Sequence, residues 1–244
     1  METAIADQRS GYQLGPTGPP TDANLASTRL CNCDHPAIVA KARELTAGVD
    51  GDDAKAERIF TYVRDTFPFR PGEYALPASE ILEQGHGMCV TKTVLMSALM
   101  RAAGMPTRYR WVPLDKRRFV GFFPWWAVKV SLLLSPTVWF HTHCEVFVDG
   151  RWETADGLLD RPFYEGLLAG GLLTREVAPT IEWGLTADVL QGLIAEDKGW
   201  LDNPDEMFEE AQRADIKSRA LMYGVFFPLI GRYHDRVRRL APRS

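Results

Sequence analysis

Between Val90 and Ala102 the apolar residues Val90, Val94, Leu95, Ala98, Leu99 and Ala102 recur at intervals of three and four positions. That spacing predicts an amphipathic helix with one stripe turned to a core. Gly104, Met105 and Pro106 end it, Gly supplying a left-handed residue and Pro blocking continuation. Upstream, Gly85 and Gly87 let the backbone turn tightly into the helix. Ala56, Ile59, Phe60, Val63 and Phe67 form the apolar face of an earlier helix opened by Asp52 or Asp53. Before that, Asp34 reads as an N-cap and Pro36 as first-turn residue of a helix ending near Gly48. Ser79 reads as the cap of a short helix from Glu80 to Gln84. Phe67 to Gly72, punctuated by Pro68 and Pro71, is an extended link.

After Pro106 the period changes from helical to alternating. Thr107 to Val112 reads as a strand. Val146 and Val148 flank Phe147, Asp149-Gly150 suits a type I′ turn, and Arg151 to Thr154 returns, so a β-hairpin is predicted. His141 and Asp156 lie at similar distances from the turn, which pushes both towards one end of the hairpin. The last third reads as helical. One helix is expected from Thr186 towards Ala195, and another from Asn203-Pro204-Asp205-Glu206 to about Tyr223. Phe226 to Ile230 then precede a basic tail, Arg232 to Arg243, read as a solvated face. The expected organisation is an extended arm at 1–30, an α+β core at 31–165 with an apolar insertion at 113–140, and a helical extension at 166–244 packed on the core.

A chain of 244 residues is long enough for a substantial core, as one large domain or a domain with an extension. Its net charge of -4 gives no case for a nucleic-acid partner. Phe119 to Phe140 is long and apolar, but Pro124, Lys129 and Pro136 interrupt it, so no integral membrane segment is expected. An insertion packed over a site, or resting peripherally on a membrane surface, fits better. Met1 to Pro20 lacks the apolar core of an export signal, and four cysteines then argue for reduced thiols in the cytoplasm.

The candidate chemistry begins at Cys89, which opens the helix after the Gly-rich turn. Unpaired N–H groups and the positive end of the helix dipole favour a thiolate there. Cys31, Cys33 and His35 have metal-ligand character, but no second Cys/His cluster completes a tetrahedral set, so neither a metal nor a cofactor is expected. On adjacent strands an imidazole and a carboxylate, His141 and Asp156, can hydrogen-bond.

Gly87-Met88-Cys89, the helix end Leu99 to Pro106, and the run His141, Glu145, Val146, Asp149, Gly150, Arg151, Trp152 and Asp156 together resemble the transglutaminase-like superfamily over about residues 33 to 160. The resemblance implies a papain-like α+β fold, an antiparallel sheet packed on the Cys-bearing helix, and a triad of Cys89, His141 and Asp156. His143 stands where an aromatic residue is common, so two histidines remain candidates for the base, with the spacing to Glu145 favouring His141. Gln84 is a candidate oxyanion donor. The implied activity is acyl transfer through a thioester on Cys89, with Dieckmann-type cyclisation of a carrier-protein-bound polyketide–peptide chain to a tetramic acid or pyridone as the favoured form. Phe122, Trp125, Trp126 and Trp139 would then line a tunnel for the chain. A peptidase, amidase or amide-forming transferase acting on a small molecule or peptide is the alternative, and an inactive binding scaffold the second.

Overall fold

The computed structural model describes residues 18–115, 122–134, 138–173, 181–184, 199–215 and 222–242. Four helices come first: α1 (Pro36–Thr46), α2 (Asp52–Thr66), α3 (Ala78–Gln84) and α4 (Cys89–Ala102). Then follow β1 (Thr107–Asp115), α5 (Trp125–Leu134), β2 (Val138–Val148), β3 (Arg151–Ala155) and α6 (Arg161–Ala169). After these come β4 (Trp200–Leu201), α7 (Asp205–Asp215) and α8 (Phe227–Arg238). The strands form one antiparallel sheet in the order β3-β2-β1-β4. This is the α+β architecture expected, with the sheet packed on the Cys-bearing helix.

α4 packs on β1 and β2 and is enclosed by α1, α2 and α3. The expected stripe is therefore wrong in one respect: every residue from Cys89 to Arg101 is buried. The polar side chains among them are accepted because they find partners, which burial demands. Thr93 Oγ1 donates to the carbonyl of Thr142 at 2.9 Å. Arg101 donates to Thr107 Oγ1 at 2.8 Å and to the carbonyls of Ala26 and Asp202 at 2.6 and 2.8 Å.

Two expected caps move. His35, not Asp34, caps α1, its Nδ1 accepting from Ala37 N at 3.3 Å, while Asp34 accepts from Ser27 Oγ. α3 starts at Ala78 behind Pro77, and Ser79 inside it exchanges bonds of 2.8 and 3.1 Å with Asn32. The hairpin turn forms as read, with φ of 50° at Asp149 and 81° at Gly150.

The insertion is narrower than 113–140. Pro113, Leu114 and Asp115 pair with Phe140, Trp139 and Val138 as the outer rungs of β1 and β2. α5 lies between those strands in sequence and meets the chain's far end, with Trp126 edge-on to Phe226 at 5.9 Å between centroids. The helix expected from Thr186 lies outside the described residues. Asn203 Oδ1 caps α7 by accepting from Asp205 N at 3.0 Å, and Pro204 precedes the helix. A π-helical turn at Met222–Phe226 leads into α8, so the helix expected to reach Tyr223 is described only to Asp215.

The basic tail is not simply a solvated face. α8 packs on α6, and a Cβ on Gly166 would lie 2.1 Å from the carbonyl oxygen of Val237. Arg238 donates to Asp160 at 2.9 and 2.7 Å and to the carbonyl of Phe69 at 2.9 Å.

Candidate active site

Cys89 is placed by the turn before it. Gly85 closes α3 at φ 70°, a left-handed value that a Cβ would strain. Arg70 N donates to the carbonyl of Gly87 at 2.9 Å, and Gly87 N to that of Pro68 at 3.2 Å. A Cβ on Gly87 would stand 2.7 Å from Thr91 Oγ1, so the close approach requires glycine. Thr91 Oγ1 accepts from Met88 N at 2.9 Å and fixes the first turn. The backbone ladder of α4 starts with Lys92 N bonding Met88 O at 2.8 Å, which leaves Cys89 at the positive end of the dipole. Its side chain is in no disulfide and is 8% exposed.

His141 comes from β2 and is 1% exposed; Asp156 follows the last residue of β3 and is 7% exposed. His141 Nε2 donates to Asp156 Oδ2 at 2.9 Å. That leaves buried Nδ1 as the nitrogen for Cys89, whose side chain acts on the ring. Burial opposes a charged imidazole, but the Asp156 carboxylate and the Cys89 side chain outweigh it and push His141 up to about 10. Asp156, raised by burial, is pulled below the ordinary carboxylate value by His141, with help from His143 and the Leu158 N–H. Such a cluster favours an imidazolium between its two neighbours, and its residue types are those that nucleophilic catalysis by a cysteine calls for.

His143 shares the β2 face of His141, with ring centroids 5.8 Å apart. Neither of its ring nitrogens has a hydrogen-bond partner among the described residues. Burial, reinforced by the charge on His141, pushes it down to about 4, so it is neutral at neutral pH. His141, His143 and Asp156 each offer a ligand atom within 4.8 Å of the others, so this trio could in principle hold a metal. The donor set argues otherwise, since His141 Nε2 and Asp156 Oδ2 are already joined to each other.

The remaining predicted site residues make contacts of other kinds. The Gln84 amide donates to the carbonyl of His86 at 2.7 Å, within its own loop. Trp125 is 70% exposed, with Lys129 Nζ 4.9 Å from its ring centre. Trp126 packs on Phe226, and Phe122 is buried with its carbonyl against His234 Nε2 at 3.1 Å. Trp139 sits on β2 opposite Leu114, and its side chain lies outside the description. Cys31 and Cys33 are free and buried, and no metal set forms around them among the described residues.

Other motif residues serve the sheet. Glu145 accepts from Arg108 at 2.6 and 2.7 Å, and the Arg108 guanidinium lies 4.2 Å from the ring centre of Trp152 and 4.5 Å from that of Trp200. The sequence reading missed Lys92, Gly157 and Leu158, which surround Asp156. A lysine inside an otherwise uncharged helical run, Cys89 to Met100, with no acidic neighbour in sequence, was the available signal.

Residues 39–157 match the family model described as the transglutaminase-like superfamily. The match spans Cys89, His141 and Asp156 and bears out the resemblance read from the motifs. No curated protein matches the chain. Among solved structures it is similar to a candidate cysteine protease from Cytophaga hutchinsonii, at 19% identity over 75% of this chain and 47% of that one, with a TM-score of 0.48. A second is a candidate protease from Parabacteroides distasonis, at 14% identity over 57% of this chain and 27% of that one, TM-score 0.36. A third is red sea bream transglutaminase, at 17% identity over 52% of this chain and 26% of that one, TM-score 0.32. The chain therefore spans about half or less of the length of these structures.

Proposed function

We propose that this chain, built on a transglutaminase-like core at residues 39–157, is a cysteine enzyme that forms an acyl-thioester on Cys89 and hands the acyl group to a second nucleophile. The observation that supports this reading is the buried set of Cys89, His141 and Asp156, with one imidazole nitrogen held by the carboxylate at 2.9 Å. The Cys89 thiolate attacks the substrate carbonyl. The leaving thiolate or amine departs with the proton of the His141 imidazolium, and Asp156 keeps the ring oriented.

For the second nucleophile we favour a substrate carbon, in a Dieckmann-type closure of a carrier-bound β-ketoacyl amide thioester to a tetramic acid or pyridone. Neutral His141 takes a proton from the methylene between two carbonyls. The resulting carbanion attacks the acyl carbon, the ring forms, and the Cys89 thiolate leaves, restoring the thiolate–imidazolium pair. No oxygen from water enters. A buried triad suits this course, because an acyl-thioester in a wet cleft would be hydrolysed, and closure within one chain gains from holding it folded. Mass spectrometry of a β-ketoamide thioester surrogate in heavy-oxygen water tests it. A ring free of the label is expected; free acid carrying the label as the only product makes the enzyme a hydrolase.

A further inference from the structure

Lys92 lies one turn beyond Cys89 on α4 and is 1% exposed. Its Nζ donates to the carbonyls of Arg64 at 3.0 Å and Leu158 at 3.3 Å. Arg64 is in the last turn of α2, where carbonyls lack intrahelical donors and the dipole favours a cation. Leu158 belongs to the turn that follows Asp156, and its N–H donates to Asp156 Oδ1 at 3.3 Å. One residue of that turn thus gives its carbonyl to Lys92 and its N–H to the carboxylate that holds His141.

The turn is also pressed against the two helices. A Cβ on Gly157 would meet Met96 Cε of α4 at 2.6 Å and Arg64 Cα of α2 at 3.7 Å. The contacts close a ring: Cys89 and Lys92 on α4, Leu158 and Asp156 on the turn, and His141 between Asp156 and Cys89. Burial pulls the Lys92 ammonium down to about 7, against the support of Asp160, Asp65 and Asp156 and with the opposition of Arg238. An aliphatic side chain would escape that desolvation cost. It would lose both carbonyl bonds and the ammonium charge that Asp160, Asp65 and, least of the three, Asp156 support.

We propose that Lys92 is a positioning residue for the triad: by tying Leu158 to the Cys89-bearing helix it sets where Asp156 stands, and so aims His141 at Cys89. This rests on the Cys89–His141–Asp156 reading but on no particular substrate. The test is the rate of Cys89 alkylation by iodoacetamide across the acid-to-alkaline range, followed by mass spectrometry, in wild type, Lys92→Met and Lys92→Gln, with circular dichroism as the check on folding. Misplacement on the scale of an ångström costs up to ~100-fold, so Lys92→Met is expected to slow alkylation by roughly 10- to 100-fold and to alter its pH profile. Lys92→Gln, which keeps a donor without the charge, recovers part of the rate. A folded Lys92→Met with the wild-type rate and profile overturns the proposal. Should Lys92→Met unfold, Lys92→Gln decides in its place: a slowed rate with an altered profile supports the role, and the wild-type rate and profile sink it. Failure of ring formation with alkylation intact concerns the acyl acceptor alone. A wild type whose Cys89 resists labelling removes the triad reading and this inference with it.

Discussion

His141 and Asp156 are bonded diagonally across the hairpin, at 2.9 Å, and not as partners in the ladder. The register runs Val146↔Glu153, Glu145↔Thr154, Cys144↔Ala155, and one further rung would set Asp156 opposite His143. β3 stops at Ala155, and the turn through Gly157 and Leu158 is drawn onto α4 and α2. The carboxylate therefore reaches the next residue on the same face of β2, within the span open to diagonal neighbours.

That diagonal gives the two histidines different surroundings, and the proposed triad makes different demands on them. His141→Ala is expected to abolish acylation of Cys89, whereas His143→Phe keeps most of it, because His143 nitrogens bond nothing described. Single-turnover acylation rates of the two variants check this. A larger loss in the His143 variant reverses the assignment.

Thiol labelling should be selective. Burial pushes the thiols of Cys31, Cys33 and Cys144 up, which keeps them protonated. Brief iodoacetamide treatment of the native protein is expected to modify Cys89 first, and Cys89→Ala to lose both that label and turnover. Peptide mapping that finds another cysteine labelled earlier argues against Cys89 as nucleophile.

The His141–Asp156 pair should appear in the pH dependence of stability. His141, raised from 6.5 to about 10, contributes stability that is fully present below the lower value and lost as pH rises through the higher. Asp156, lowered from 3.8, contributes above that value and loses its share as pH falls through its depressed folded value. Lys92, lowered from 10.5 to about 7, has the opposite slope over much of the alkaline range, so wild type is best compared with Asp156→Asn, which retains Lys92. Urea midpoints of the two should converge as pH rises towards 10. A constant gap over that range contradicts the pairing.

The Arg108–Glu145 pair is buried on both sides, and Glu145→Ala removes the carboxylate from a guanidinium that lies against Trp152 and Trp200. The expected loss is roughly 3–5 kcal/mol of unfolding free energy, measurable by chemical denaturation. A loss within the range of an exposed pair, about 1 kcal/mol or less, would show the pair to be solvated.

Gly166→Ala tests the docking of the C-terminal helix. The added Cβ would fall 2.1 Å from a backbone oxygen of Val237, which cannot rotate away as a side chain would. A lowered Tm and faster proteolysis at α8 are expected, and an unchanged melting curve means that α6 and α8 sit further apart in solution.

The sequence by itself determined the features that depend on near neighbours. The spacing from Val90 to Ala102 and the stop at Gly104 and Pro106 define α4, because helical periodicity and left-handed residues act within a few positions. Asp149-Gly150 defines the hairpin for the same reason, since that turn requires positive φ at both residues. The order of Cys89, His141 and Asp156 was legible, and the spacing to Glu145 favoured His141 over His143, but the diagonal reach of the carboxylate was not. Counting along the strands cannot locate the end of the ladder, and Asp156 lies just past it. Lys92 finds its acceptors 28 and 66 residues away, and Arg238 reaches Asp160 and Phe69 across 78 and 169. Such contacts leave no periodic trace, because they follow from how the helices and the sheet stack, and a buried charge is tolerated only once that stacking has brought its partners to it.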